Sequence, residues 1–304
     1  MTLQQLRQVL TIAESNSMNE AAKKLFVSQP NLSATVREVE EELGITVFMR
    51  NNRGITVTAE GEEFLGYAKQ VVEQYHLLEN RYLNVESKKK FSVSMQHYSF
   101  AVKAFVQLAK EVGMDEYEFA VHETKTKEVI DNVKNLKSEI GVLYLSDFNE
   151  KVLRKLFKEC DIEFKELFTC NTYVYLWKKH PLAGQKEITL DDLQEYPCLT
   201  FEQGVNNSFY YAEEMMSTYE YKRVIKADDR ATMLNLMVGL NGFTLCSGII
   251  SEDLNGDDYA AIPLKESEKM HIGYIKHKGT KLSKLGEIYI DASVSYTHLT
   301  LPTK

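Results

Sequence analysis

The stretch NEAAKKLFVSQPNLSATVREVEEELG, Asn19 to Gly44, places two helix-forming blocks on either side of Phe26, Val27 and Ser28, a connection too short to cross a sheet. Two helices joined so tightly must pack on one another. In the first block Ala21, Ala22 and Leu25 make a narrow apolar edge that permits close approach. In the second, Ser28 is placed to cap the helix, Pro30 falls in the first turn where its missing amide costs nothing, and Gly44 is the natural stop. Leu32, Val36, Val39 and Leu43 predict one buried stripe. The opposite face carries short polar residues crowded toward the helix N-terminus, and such a face can enter a major groove with its backbone close to base edges. Ser28, Gln29, Pro30, Asn31, Ser33, Ala34 and Arg37 are therefore candidate DNA-binding residues. The alternative is an ordinary surface helix in a three-helix cluster.

Outward from this pair, Thr2 with Gln5 and Ser17 with Glu20 fit the capping-box pattern, so helices are expected to begin near Leu3 and Met18. Downstream, VFMRNNRGITVTAEG reads as two short strands, Val47–Arg50 and Ile55–Thr58, joined by the turn residues Asn51, Asn52, Arg53 and Gly54. That is a wing, and Arg50 and Arg53 on it suit phosphates or a narrow minor groove.

Leu6, Ala21-Ala22, Ser28-Gln29-Pro30, Ser33, Glu40, Leu43-Gly44, Phe48, Arg50, Arg53, Thr58 and Gly61 stand in the order and spacing of the LysR-type transcriptional regulators, which the chain resembles over residues 1 to about 291. The family usually places Arg or Lys where this chain has Ala34, which leaves one expected contact unsupplied. Residues 1–58 hold six bases (Arg7, Lys23, Lys24, Arg37, Arg50, Arg53) against six acids (Glu14, Glu20, Glu38, Glu40, Glu41, Glu42). A neutral DNA-binding domain neutralises few phosphates, so non-specific binding by one subunit is expected to be weak and dimerisation to supply the rest.

From Ala59 to Lys90 the chain has neither Pro nor a Gly cluster, and Phe64, Ala68, Val71, Tyr75, Leu78, Tyr82 and Val85 recur at heptad spacing over about 30 Å of helix. The seam predicts a helix that pairs two subunits, with Phe64, Val71, Tyr75, Leu78 and Tyr82 as dimerisation residues, and the resemblance implies the same linker. The alternative is packing on the chain's own core. Lys88, Lys89 and Lys90 are expected to end the helix, suiting its C-terminal dipole, and to mark a boundary.

Beyond Phe91, short strands alternate with helices, the mark of parallel sheets with crossovers. A second set begins near Pro197: CLTF, a helix through Tyr211 and Met215, RVIKA, a helix with Met233, Leu236 and Met237, and GFTLCSG. MHIGYIKH and Leu282–Ile290 add a last strand and helix. Two linked α/β lobes bind ligands between them, at strand ends where helix N-termini offer amides. The turns there nominate His97, Tyr98, Ser99, Thr124, Lys125, Thr126, Phe201, Glu202 and Asp228 as effector-binding residues. His97 and Lys125 with the short hydroxyls favour an organic acid or oxyanion, whereas Glu123 and Glu202 keep an amino acid open. This region is similar to the family's effector domain and thus to a type 2 periplasmic-binding-protein fold.

The expected fold is α+β: a winged helix-turn-helix over 1–58, a linker helix over 59–90, two α/β lobes over 91–292 with the second lobe at about 165–265, and a Thr-rich tail over 293–304, read as a sequence artefact or a disordered end. At 304 residues and 44% hydrophobic content there is ample material for such cores. No apolar run approaches a membrane span and no secretion signal opens the chain, so a cytoplasmic protein without membrane contact is expected. Net charge is −8, so nucleic-acid binding must rest on local features. No nucleophile elbow, P-loop, dinucleotide fingerprint or zinc-protease motif is present, and His122-Glu123 lacks a second histidine, so neither an enzyme, a cofactor nor a metal is expected. The expected partners are double-stranded DNA, a small-molecule effector, RNA polymerase and a second copy of the chain in a homodimer or homotetramer. Rival readings are a thiol-switch regulator using Cys198 and Cys246, and a solute-binding protein, which leaves the wing unexplained.

Overall fold

The computed structural model describes residues 1–15, 17–51, 54–82, 88–113, 116–206, 208–250 and 252–300. The chain divides into two compact units, Met1–Ser87 and Lys88–Lys304.

The first unit begins with α1 (Leu3–Ala13), held at its start by the predicted capping box: the Gln5 amide donates to Thr2 Oγ1 at 3.2 Å and the Thr2 amide to Gln5 Oε1 at 2.8 Å. In α2 (Met18–Lys24) Ser17 Oγ accepts from the Glu20 amide at 3.2 Å, while the Glu20 carboxylate meets Lys24 at 2.9 Å. The connection to α3 (Gln29–Leu43) turns at Phe26, which adopts a left-handed φ of 54°. Leu32, Val36 and Val39 are buried with Val9, Ile12, Ala21 and Phe48. Leu43 departs from the expected stripe: it lies in the last turn of α3 and is 37% exposed. The wing is β1 (Phe48–Asn51) against β2 (Gly54–Val57), antiparallel, with Phe48 opposite Val57. Both strands sit one residue from their predicted bounds, although the Thr58 amide still donates to the Val47 carbonyl at 3.1 Å just past the strand ends. The Val47 amide is taken by Glu40, and Thr58 Oγ1 accepts the Gly61 amide at 2.9 Å at the start of the next helix. That helix, α4, is described from Ala59 to Tyr82.

The second unit opens on β3 (Lys89–Met95), so Lys89 and Lys90 are strand residues rather than the end of a helix. They pair with Tyr117 and Glu118, and the ladder outweighs the local preference for a helix C-terminus. After β3 come α5 (Ser99–Val112), β4 (Tyr117–Glu123), α6 (Thr126–Lys134), β5 (Ile140–Leu145), α7 (Glu150–Glu159) and β6 (Ile162–Asn171). In the second lobe follow β7 (Tyr173–Trp177), β8 (Cys198–Phe201), β9 (Val224–Ala227), α8 (Arg230–Leu240), β10 (Thr244–Cys246), α9 (Glu252–Asn255) and β11 (Tyr259–Pro263). The chain returns to the first lobe through β12 (Lys269–His277) and α10 (Lys284–Thr300).

The first sheet has the order β4-β3-β5-β12-β6, and β12 runs antiparallel to both neighbours, so the sheet is mixed rather than all parallel. All of β6 belongs to it, which moves the start of the second lobe from about 165 to β7. The second lobe has a three-stranded sheet, β10-β7-β11, and the parallel pair β8-β9. Its two crossing segments are tied together: the Thr172 amide donates to Ser267 Oγ at 2.8 Å and Thr172 Oγ1 to the Glu268 carbonyl at 3.0 Å. The helix expected through Tyr211 and Met215 is instead a single 3-10 turn, Phe209–Tyr211, followed by turns. Carbonyls that a helix would use internally go elsewhere, Tyr211 O to Thr126 Oγ1 and Ala212 O to Tyr144 Oη. The expected tail begins inside the last helix. α10 runs through it, and Ser293 is buried with its hydroxyl on the Tyr289 carbonyl at 2.8 Å.

Candidate functional site

On α3 the buried stripe turns Ser28, Pro30, Asn31, Ala34 and Arg37 to solvent, with Gln29 and Ser33 half-buried beside them. Gln29 Nε2 donates to Ser33 Oγ at 2.8 Å, which sets both side chains along the helix. Arg37 makes no salt bridge among the described residues. Several acids that cancel the bases in composition are spoken for within the unit. Glu38 accepts from Gln5 Nε2 at 2.9 Å, Glu42 from the chain's amino terminus at 2.7 Å, and Glu40 from the Val47 and Phe48 amides. Arg50 lies on β1, on the wing segment, and Arg53 lies outside the described residues.

Helix α4 shows two faces. Leu65, Ala68 and Val72 are buried, with Ala68 and Val72 packed beside Leu6 of α1, and Phe64 packs there too. The first part of the predicted seam, Phe64 and Ala68, thus faces its own chain, because α1 covers it. Val71, Tyr75 and Leu78 are exposed, together with Tyr67 and Leu77. Tyr82 closes the described helix, and Val85 lies outside the described residues.

Between the lobes lies a cavity of about 90 Å³. The turn after β3 supplies His97 and Tyr98, and the start of α5 supplies Ser99. The second lobe supplies Phe201 from β8, Tyr175 from β7, Thr244 from β10, Met233 and Met237 from α8, and the adjacent acids Glu213 and Glu214. The His97 ring lies flat on Phe201, centroids 3.6 Å apart at 5°. Its Nδ1 is 2.8 Å from Glu213 Oε2, and its amide donates to the same oxygen at 3.0 Å. Gln203 Nε2 donates to Glu213 Oε1 at 2.9 Å and so completes a polar bridge between the lobes. Glu214 accepts the Phe201 amide at 2.8 Å; burial first, and the neighbouring Glu213 second, push its carboxyl up to about 8. Tyr175 and Thr244 stand opposite one another on β7 and β10, and neither hydroxyl has a hydrogen-bond partner. Burial raises the Tyr175 phenol well above its ordinary range, and the Asn255 side chain beside it opposes that rise.

Of the nine residues predicted for this site, His97, Tyr98, Ser99 and Phe201 line the cavity. The other five do not. Thr126 is a fastener, accepting from Gln96 Nε2 at 2.6 Å and donating to Tyr211 O at 2.7 Å. Thr124 bonds Glu128, Lys125 pairs with Asp228 at 3.4 Å, and Glu202 accepts the Gly204 amide at 2.9 Å and pairs with Lys226 at 3.4 Å. Tyr175, Glu213, Glu214, Arg230, Met237 and Thr244 were not predicted for the site; the one signal in the sequence was an acidic pair in a stretch otherwise read as a helix.

Residues 3–62 match the model of the bacterial regulatory helix-turn-helix protein, lysR family, and residues 113–294 match that of the LysR substrate binding domain. The chain belongs to the LysR family. This regulator is 25% identical to the HTH-type transcriptional regulator CysL of Bacillus subtilis over 297 residues, 94% of each chain. It is 30% identical to the transcriptional dual regulator GltC of the same organism over 214 residues, 67% of this chain and 66% of GltC. In fold it is similar to a full-length OxyR variant from Pseudomonas aeruginosa, with TM-score 0.70 at 19% identity over 100% of this chain and 99% of that one. It is also similar to full-length CbnR solved with its target DNA, with TM-score 0.58 at 17% identity, covering 99% and 100%.

The protein is thus a LysR-type DNA-binding transcriptional regulator, and its relatives are regulators rather than enzymes. Among the described residues no helix is long and apolar enough to cross a membrane, and no cluster of His, Cys, Asp and Glu is placed to hold a metal. The likeness to OxyR is one of fold. Burial raises the Cys198 thiol well above its ordinary range and pushes Cys246 up to about 12, the reverse of what a reactive thiolate requires.

Proposed function

We propose that this regulator binds operator DNA as a homodimer through the exposed N-terminal face of α3 and the wing, and that a small-molecule effector held between its two lobes alters that binding. The observation that carries the reading is the free polar face: Arg37 and its short neighbours face solvent while Glu38, Glu40 and Glu42 are engaged within the unit. Docking of such a face places small side chains and one guanidinium at base edges, and Arg50 and Arg53 on the wing reach phosphates or the minor groove. The exposed face of α4, with Val71, Tyr75 and Leu78, supports pairing of two chains, since a row of large apolar side chains left in water is an unpartnered surface. The interlobe cavity supports the effector, and a ligand there acts on DNA affinity by binding one conformational state better than another.

Gel-shift titration on an inverted-repeat site tests the DNA reading. Arg37→Ala and Arg53→Ala are each expected to cost about 1–3 kcal/mol, with Arg37→Ala altering base preference and Arg53→Ala flattening the salt dependence. Full binding by both variants sinks the assignment of this face.

A further inference from the structure

We propose that Phe209–Glu214 is a strap from the second lobe that fastens on the first, and that an occupant of the cleft regulates the protein by displacing this strap from His97. This rests on the reading of the cleft as the effector site and names the element there that moves.

The first observation is a run of contacts in which four consecutive residues each hold a different part of the first lobe. The Tyr210 ring stacks on Phe148, just past β5, with centroids 4.9 Å apart. The Tyr211 carbonyl accepts from Thr126 Oγ1 at the start of α6 at 2.7 Å, and the Ala212 carbonyl from Tyr144 Oη on β5 at 3.0 Å. The Glu213 carboxylate takes both the amide of His97, at 3.0 Å, and its ring nitrogen, at 2.8 Å, in the turn after β3. At Glu214 the segment returns to its own lobe, where the carboxylate accepts the Phe201 amide at 2.8 Å. A segment satisfied so largely by the opposite lobe opens as a unit when those bonds go.

The second is the place of Glu213. It is 7% exposed, lines the interlobe cavity beside His97, Ser99 and Glu214, and is held on its other oxygen by Gln203 Nε2 at 2.9 Å. The chain's own carboxylate thus fills the position at which His97 was expected to meet an acid from solution. A ligand reaching His97 competes with Glu213 for the same amide and the same ring nitrogen, so its entry exchanges hydrogen bonds rather than leaving them unmade.

The third is room to move. Behind the strap, between it and the β8-β9 pair, lies a cavity of about 470 Å³ lined by Phe209 and Ala212 of the strap and by Thr200, Val224 and Lys226 of the strands. A close-packed element cannot shift without overlap, and this one has space on the side away from the first lobe.

Hydrogen exchange and operator binding by the full-length protein provide the test, in Glu213→Ala, which clears the His97 position, and in Tyr144→Phe, which removes one hydroxyl that holds the strap and keeps the ring. Exchange in residues 209–214 should rise about tenfold or more in the first and about three- to tenfold in the second, with β7 unchanged. Affinity for a duplex selected by the wild-type protein from a random pool should shift in the same direction in both variants, by about threefold or more. Sodium acetate, the fragment that Glu213→Ala removes, should at millimolar concentration restore slow exchange and wild-type affinity to that variant alone, with sodium chloride at equal ionic strength without effect. Unchanged exchange in both variants, or affinities shifted in opposite directions, overturns the strap and leaves the cleft reading standing. Acetate no better than chloride overturns the filling of the His97 position from solution, again without touching the cleft reading. Faster exchange in both variants with operator affinity unchanged overturns the inference and the cleft reading together.

Discussion

Replacing Glu40 with Ala should detach the wing from the helix that presents the DNA-binding face. One carboxylate oxygen of Glu40 accepts the amides of Val47 at 2.7 Å and Phe48 at 3.0 Å, the residues at which the chain enters the wing. Both residues are buried, so water cannot replace the lost acceptor. A hydrogen bond to a charged group contributes about 1.5–3 kcal/mol, and with Glu40 only half-buried the low end applies to each, about 3 kcal/mol for the pair. That corresponds to roughly a hundredfold faster hydrogen exchange in residues 47–57, and to a lower denaturant midpoint for the first unit. Affinity for operator DNA should fall with it, because Arg50 lies on the displaced β1. Hydrogen-exchange mass spectrometry and urea unfolding on the full chain measure both effects. Glu40→Gln is the control: its carbonyl still accepts both amides, so only the charge-assisted part, about 1 kcal/mol, should go. A loss below about 0.5 kcal/mol in Glu40→Ala, or equal losses in the two variants, refutes the reasoning.

Gly61→Ala should destabilise the same unit by about 1–3 kcal/mol in thermal melts, since the new Cβ would lie 2.4 Å from the Val47 carbonyl oxygen and the backbone would have to move; a neutral substitution contradicts this. Leu78→Glu or Tyr75→Lys places a charge on the exposed apolar face of α4 and should convert dimers to monomers in sedimentation, weakening DNA binding with no DNA-facing residue changed; an unaltered dimer rejects this face. Glu214 is held protonated in the fold, so the stability it contributes is fully present below the ordinary carboxyl range and is lost as pH rises toward about 8. Glu214→Gln should therefore show a flatter decline of urea midpoint between pH 5 and pH 8 than the wild type, and an unchanged slope would exclude Glu214 as its source.

The features legible in the sequence are those whose physics closes within a few residues. A cap is satisfied three residues away, so Thr2, Ser17 and Ser28 announced their helices, and Gly44 its stop at a φ of 70°. Heptad spacing showed that one face of α4 is apolar. It could not show which part α1 already covers, because Leu6 reaches Ala68 and Val72 only after folding. Lys89 and Lys90 read as a helix end from their own charges and became a strand because Tyr117 and Glu118 offered them a ladder.

By itself the sequence determined a winged helix-turn-helix followed by two α/β lobes, because caps, turns and hydrophobic period are local properties. Only the tertiary structure decided what the cleft presents. Thr126 was a plausible ligand contact until Tyr211, 85 residues away, took its hydroxyl. Glu213 came to lie on His97 from 116 residues away, taking up the ring nitrogen that had suggested an anion. Tyr175 and Thr244 became neighbours through strand register alone, and hydrogen-bond satisfaction in a buried site depends on which distant groups the fold brings together.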